Sequence, residues 1–117
     1  MTAHVFNRRL DPEHPASLSR PTVEGLLRRG LGFAGAVLSD DLDMGAVRGE
    51  YPRERALELA LNAGNDILLI ANNLEFRRDA AERAHAAVLA LVRSGRVPEA
   101  RVDEAWQRVR RLKAGRG

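Results

Sequence analysis

The chain has 117 residues, of which 44% are hydrophobic and 30% charged, with a formal net charge of +3 and no cysteine. This length allows one domain with a hydrophobic core, and the lack of cysteine excludes a disulfide framework and thiolate metal sites. No apolar stretch approaches the length of a membrane span, and no signal segment opens the chain. Arginines alternate with acids, as in "RRDAAERAH", which is typical of solvated helix faces. We therefore expect neither a membrane nor a nucleic acid as partner.

The first predicted element is a short strand over residues 2–6, "TAHVF", which is rich in residues that favour strands. A long, ordered surface loop follows, because the next fifteen or so residues contain three prolines that disfavour regular structure. These prolines are Pro12, Pro15 and Pro21. A helix then begins with Ser19 as its N-cap and ends at Gly30. Its apolar stripe at helical spacing consists of Val23, Leu26 and Leu27.

The second predicted strand lies within "GAVLSDD" and ends abruptly in acidic residues, with a loop to about Tyr51. Pro52 opens the next helix and Gly64 ends it. The buried face of that helix is predicted to consist of Leu57, Ala60 and Leu61. Residues 66–70, "DILLI", form a continuous apolar run, which is typical of a parallel strand covered on both faces.

Two helices complete the predicted chain order. A long amphipathic helix covers about residues 74–94 and ends at Gly95, and a last helix covers about residues 98–113. The last helix is predicted to bury Val102, Trp106 and Val109. The order β-α-β-α-β-α, followed by one more helix, predicts right-handed crossovers and a parallel sheet.

A parallel sheet of three strands leaves two open edges and helices that lack neighbours. Two completions are natural: a doubly wound domain, or a (β/α)8 barrel of which this chain supplies three units. In both architectures, function lies at the carboxyl ends of the strands. Here those ends carry His4, the pair Asp40 and Asp41, and the pair Asn72 and Asn73. This coincidence predicts an active site at that edge of the sheet.

Asp40 directly follows a buried strand and has acidic neighbours. A carboxylate at a barrel mouth can attack an anomeric carbon and form a glycosyl ester. Equally, the position suits a helix N-cap or a solvated loop acid, and the residues alone leave both readings open. Asp43 is predicted to be an exposed cap or loop acid. Three scattered histidines, with His14 and His85 expected at the surface, and consecutive acids do not match a metal site.

The segment "SDDLDM" resembles the nucleophile segment of glycoside hydrolase family 3, in particular its β-N-acetylhexosaminidases. The stretch "MTAHV" before it, and the stretches "AGNDILLIANN" and "GRVPEARVDEAWQRVRRLK" after it, are similar to further segments of the family and occur in the family's order. The resemblance implies an α/β fold in which residues 1–117 are the C-terminal part of the family's catalytic domain. That part would comprise three βα units of a (β/α)8 barrel and a final helix.

The resemblance also implies roles for individual residues. Asp40 is the nucleophile of a retaining double displacement, and Asp41 supports it by orienting the loop or accepting backbone hydrogen bonds. His4, Met44 and Asn72 are implied to bind substrate, while a structural role for His4 and a core role for Met44 stay open. The implied activity is release of terminal β-linked N-acetylglucosamine in cell-wall recycling in the bacterial cytoplasm. No cofactor or metal is implied.

Half of the implied chemistry has no counterpart in this sequence. Family members carry an upstream loop with a His–Asp pair as general acid/base, and further upstream residues that hold the sugar. We therefore expect the chain alone to be inactive and the N-terminal part of the barrel to be supplied in cis. Two alternatives stay open: a β-glucosidase or β-xylosidase relative, and a non-catalytic, truncated α/β fragment.

Overall fold

A computed structural model of the chain describes residues 1–115. Its elements, in chain order, are a 3-10 turn (Ala16–Leu18), a π-helix (Pro21–Gly30), strand β1 (Leu38–Asp41), helices α1 (Gly45–Arg48) and α2 (Arg53–Ala63), strand β2 (Ile67–Leu69), and helices α3 (Ala80–Arg93) and α4 (Glu99–Ala114). The two strands are parallel, with Leu38 opposite Ile67. The predicted α/β class with a parallel sheet is confirmed. None of the described helices is both long and apolar enough to cross a membrane.

Helix α2 forms the centre of the fold. It begins directly after Pro52, whose fixed φ suits a helix start, and ends at Gly64, whose φ of 116° is accessible mainly to glycine. The predicted apolar face is confirmed, since its members are buried at 6% exposure or less: Leu57, Ala60 and Leu61. This face contacts the 3-10 turn, α3 and β2, and so unites the N-terminal and C-terminal parts of the described chain.

The predicted strand at residues 2–6 is wrong. Within the described residues, one backbone hydrogen bond joins this segment to β1, from Thr2 N to the Leu38 carbonyl at 2.8 Å. Its other backbone bonds go to the 3-10 turn, because Ser17 N donates to Ala3 and Ala16 N donates to Val5. The segment is therefore extended and lies beside β1 without forming a ladder, and the described sheet has two strands rather than three.

Helix α3 begins at Ala80, six residues later than predicted. Asn72 has a φ of 55°, and its side-chain amide bonds both the N–H and the carbonyl of Arg77. These two bonds close a loop that holds the backbone out of the helical conformation, although the apolar spacing there is helical. Leu74 and Phe76 in this loop are 63% and 75% exposed.

The predicted burial of Trp106 is also wrong, since this side chain is 57% exposed. Helix α4 instead turns Arg101, Ala105 and Arg108 toward the fold, at positions i, i+4 and i+7 of one face. The two arginines bond the buried carboxylate of Asp66. Trp106 lies on the side of Val102 and Val109, where it lines an open apolar groove with Leu68 and Val88. Val102 and Val109 are partly buried at the margin of the same face.

The helix predicted after Ser19 is present as a π-helix, whose last turn closes by a bond from Leu31 N to the Leu26 carbonyl, five residues back. Ser19 acts as predicted at its start, because its Oγ accepts from Thr22 N at 3.1 Å. Val23 is buried at 1%, whereas Leu26 is 41% exposed. Of the predicted apolar stripe, Val23 therefore faces the core and Leu26 does not.

Candidate active site

The candidate site begins at the carboxyl end of β1, "LSDD". Alternation along the strand places Ser39 and Asp41 on one side and Asp40 on the other. Ser39 is fully buried and its Oγ accepts from Leu69 N at 3.0 Å, which ties the two strands together. The Asp40 side chain is partly exposed, and its Oδ1 accepts from Asp41 N at 2.8 Å. Across residues 1–115 its other carboxylate oxygen makes neither a hydrogen bond nor an ion pair with the protein.

The Asp41 side chain links the carboxyl ends of β1 and β2. Its Oδ1 accepts from Ala71 N at 2.9 Å, just past β2, and from Asp43 N at 3.0 Å. Its main-chain carbonyl accepts from Met44 N at 3.1 Å. The side chain therefore accepts backbone hydrogen bonds, as the sequence predicted, while its support of catalysis stays a prediction.

His4 completes the convergence of polar groups at this edge. Its Nε2 lies 2.7 Å from the Asp41 carbonyl oxygen, and its Nδ1 lies 2.5 Å from Ser17 Oγ. His4, Asp41 and Ala71 thus form one continuous chain of hydrogen bonds, in which the third segment takes part through the Ala71 N–H rather than through the predicted Asn72 and Asn73 side chains. Both ring nitrogens of His4 have protein partners, and a contact between His4 and a substrate stays a prediction.

Met44 and Asn72 flank this arrangement. The Met44 side chain is 42% exposed at the start of α1, where a ligand could reach it. The Asn72 amide is occupied by Arg77, with Oδ1 accepting at 3.0 Å and Nδ2 donating at 2.8 Å. Asn73 is exposed. The sugar-binding roles of Met44 and Asn72 stay predictions.

Asp43 is not the exposed acid that the sequence predicted. It is 4% exposed and pairs with Arg53 Nη2 at 2.8 Å, which links the turn after β1 to the first turn of α2. Sequence reasoning missed both Arg53 and the buried Ser17. The adjacency of Arg53 to Pro52 hinted at a charged helix start near the acids, whereas nothing local marks Ser17 as the partner of a histidine thirteen residues away.

The opposite end of the sheet holds a different acid. Asp66 has a side chain with 0% exposure, and its oxygens accept from Val37 N at 2.9 Å and from three arginines. These are Arg28 at 2.6 Å, Arg101 at 2.6 Å and Arg108 at 3.1 Å. Burial favours a raised pKa, but the Val37 N–H and the guanidinium groups outweigh it and hold the pKa of Asp66 below its ordinary value.

The remaining histidines lie away from this edge. His85 is exposed on α3, as predicted, whereas His14 is partly buried, lies 3.6 Å from Asp11 and stacks on Tyr51. Among residues 1–115, no group of three or more His, Asp or Glu side chains is placed to hold a metal ion. The chemistry that the edge itself offers is that of a carboxylate with one uncommitted oxygen, held on a rigid strand end.

Comparisons with known proteins identify the family of the chain. The family described as "Glycosyl hydrolase family 3 N terminal domain" matches residues 1–112. A "Beta-hexosaminidase" of Tolumonas auensis is 51% identical over 75 residues, which cover 62% of this chain and 22% of the relative. A "Beta-hexosaminidase" of Shewanella frigidimarina is 38% identical over 99 residues, which cover 75% of this chain and 28% of the relative.

Solved structures agree. The family 3 β-N-acetylglucosaminidase of Paenibacillus sp. str. FPU-7 superposes with a TM-score of 0.88 at 38% identity, covering 97% of this chain and 21% of that one. The β-N-acetylglucosaminidase of Thermotoga maritima gives a TM-score of 0.87 at 30% identity, covering 98% of this chain and 24% of that one. The chain thus spans about a fifth to a quarter of the relatives' lengths. On the match over residues 1–112, the chain belongs to glycosyl hydrolase family 3 and carries part of its N-terminal domain.

Proposed function

We propose that this chain is the C-terminal part of the (β/α)8 catalytic barrel of a β-N-acetylhexosaminidase, in which Asp40 is the nucleophile. The uncommitted carboxylate oxygen of Asp40 at the exit of β1 is the observation that carries this proposal. The relatives named beta-hexosaminidase, and the superposed structures named β-N-acetylglucosaminidase, support N-acetylglucosamine as the sugar. The substrate would be a terminal β-linked residue of a cell-wall fragment, recycled in the bacterial cytoplasm.

The proposed reaction is a double displacement. The free oxygen of Asp40 attacks C1 of the sugar, the bond from C1 to the glycosidic oxygen breaks, and that oxygen takes a proton from a general acid. Water then attacks C1 and gives a proton to the group that had acted as general acid, the ester bond to Asp40 breaks, and the sugar leaves with its original β configuration. The proton donor would lie in the part of the barrel outside these 117 residues, as would the remaining strands.

The contacts around Asp40 favour it over its neighbours as the attacking group. The carboxylate of Asp41 already accepts from two main-chain amides, and that of Asp43 is buried against Arg53. Each of these acids keeps one oxygen without a hydrogen bond from the described residues, as Asp40 does, but Asp41 is tied to two backbone amides through its other oxygen and Asp43 is only 4% exposed. Asp40 is partly exposed and accepts a single bond from the adjacent amide. Met44, exposed beside this edge, would contact the sugar, and Asn72 would border the same opening.

The test uses the gene product that contains this chain, with any residues encoded in frame before Met1, hereafter the complete gene product. It should hydrolyse p-nitrophenyl N-acetyl-β-D-glucosaminide, with the β-anomer as first product by NMR. Residues 1–117 alone should give no turnover. Preference for the β-glucoside or β-xyloside would replace the proposed sugar, an α-anomer as first product would exclude retention, and turnover by the 117 residues alone would refute an external proton donor.

A further inference from the structure

The pair formed by His4 and Ser17 lies beside the candidate nucleophile, and its serine is buried in the interior. Ser17 has 0% exposure, and its Oγ lies 2.5 Å from His4 Nδ1. A carbonyl oxygen can only accept, so His4 Nε2 donates to the Asp41 carbonyl at 2.7 Å. In the neutral ring Nδ1 then accepts, and the Ser17 hydroxyl donates to it. The orientation of the imidazole is thereby set from the buried side.

The backbone holds this pair in place. Ser17 N donates to the Ala3 carbonyl at 3.0 Å and Ala16 N donates to the Val5 carbonyl at 2.8 Å, on either side of His4. The Ser17 carbonyl accepts from Asn65 Nδ2 at 2.8 Å, and Asn65 itself is fully buried. The imidazole is therefore carried by a segment anchored in the interior, although the segment belongs to neither strand.

The pair contacts the main chain at Asp41, whose carbonyl oxygen accepts a hydrogen bond from His4. The N–H of the same residue donates to Asp40 Oδ1, so the orientation of the Asp41 backbone helps to set where the Asp40 carboxylate points. Asp41 is thus held from three directions, by Ala71 through its side chain and by Met44 and His4 through its carbonyl. The His4 bond holds the 41–42 peptide, which Leu42 N (to the Leu69 carbonyl) and Met44 N also hold, and its loss reaches the Asp41 N–H through the backbone torsions of Asp41.

We propose that His4, oriented by Ser17, is a positioning residue that aims the Asp40 carboxylate through the main chain of Asp41, rather than a ligand of the sugar. This inference rests on the proposed function, because it concerns how the nucleophile is aimed. Displacement of a reacting group by about an ångström costs up to about a hundredfold in rate. Loss of the His4 bond should therefore lower the rate of attack and leave ground-state sugar binding nearly unchanged.

The experiment measures covalent labelling of the complete gene product by a 5-fluoro N-acetylglucosaminyl fluoride. Fluoride leaves without a proton, so this readout reports the attack separately from the general acid. We expect His4→Ala to slow labelling at Asp40 by about 10- to 100-fold. His4→Gln should recover most of the rate, because its amide nitrogen can donate in the place of Nε2. The exposed His85→Ala is the matched control and should label at the wild-type rate.

Ser17→Ala separates positioning from sugar binding, because a fully buried hydroxyl cannot touch the sugar. We expect it to slow labelling roughly tenfold, with an unchanged Kd for N-acetylglucosamine, and to be non-additive with His4→Ala. Final labelling stoichiometry corrects every rate for misfolded protein. A weaker Kd in His4→Ala with a normal rate in Ser17→Ala would overturn the positioning role while Asp40 still labels. No label on Asp40 in the wild type would instead remove the proposed function, and this inference with it.

Discussion

Each end of the described sheet carries an aspartate. The side chain of one is fully buried, and that of the other is partly exposed to solvent. At the amino end of β2, Asp66 is fully buried, and its oxygens accept from Arg28, Arg101 and Arg108. At the carboxyl end of β1, Asp40 accepts one bond from the adjacent amide and is partly open to solvent. Removing a buried acid that is surrounded by cations leaves those cations unpaired and destabilises the fold, whereas a partly exposed acid with an uncommitted oxygen can form a new bond.

The largest effect should follow from removing the uncommitted acid. In the complete gene product, Asp40→Ala should lower kcat by at least about a thousandfold, because it removes the group proposed to form the ester. Its melting temperature and its affinity for N-acetylglucosamine should stay near the wild-type values. The matched control is Asp103→Ala, an exposed acid on α4. Wild-type kcat in the Asp40 variant would show that the difference between the two ends is not one between catalysis and stability.

The converse substitution should act on stability. Asp66→Asn leaves three arginines around an uncharged group in the interior, and loss of one partner from a buried ion pair costs about 3–5 kcal/mol. The free energy of unfolding of the complete gene product, measured in urea, should fall by about that amount, with Asp103→Asn unchanged. If Asp66→Asn were as stable as the wild type, the arginine cluster would not be what holds α4 in place.

A smaller difference in the free energy of unfolding should separate alanine substitutions of two glycines, one at each end of the sheet. Gly64, whose carbonyl accepts from Arg28, has a φ of 116°, and a Cβ there would lie 3.2 Å from Val23 Cγ1. Gly64→Ala should therefore cost about 1–3 kcal/mol in urea unfolding. Gly45 begins α1 with no atom within 4 Å of its Cβ position, so Gly45→Ala should be neutral or slightly stabilising. Equal losses in both variants would mean that the amino end of the sheet is no more tightly packed than the carboxyl end.

The smallest effect concerns pH. Because the folded state holds the pKa of Asp66 below its ordinary value of 3.8, the ion cluster contributes fully above about that pH. Its contribution is lost as the pH falls further, toward the lowered pKa of the folded state. The melting temperature of the wild type should thus decline below about pH 4, and the decline should be shallower in Asp66→Asn. Parallel profiles would place the acid sensitivity elsewhere.

Local signals predicted much of this fold. Pro52 and Gly64 bracket α2 to within one residue, and the apolar run "DILLI" contains β2. These features are set by backbone chemistry within a few residues of themselves. The errors arose where distant groups decide the outcome. The orientation of α4 depends on Arg101 and Arg108, which bond Asp66 some forty residues earlier in the sequence. Trp106 is exposed because the apolar groove that it lines with Leu68 and Val88 is open among the described residues.

The candidate site shows the same division. The position of Asp40 after a strand is visible in the sequence, and so is the convergence of segment ends that a parallel arrangement requires. The burial of Asp43 against Arg53 and the pairing of His4 with Ser17 depend on how loops pack, which no local spacing encodes. Residue types therefore predicted the edge at which polar groups converge, but not which of these groups are already hydrogen-bonded within the fold.

Identifying the labelled peptide tests whether Asp40, at the carboxyl end of β1, forms a covalent bond with the sugar. The complete gene product is treated with the 5-fluoro N-acetylglucosaminyl fluoride, digested and sequenced by mass spectrometry. We expect one N-acetyl-5-fluorosugar ester, on Asp40. A label on Asp41, Asp43 or any other residue, or no label while the enzyme turns over, would contradict it.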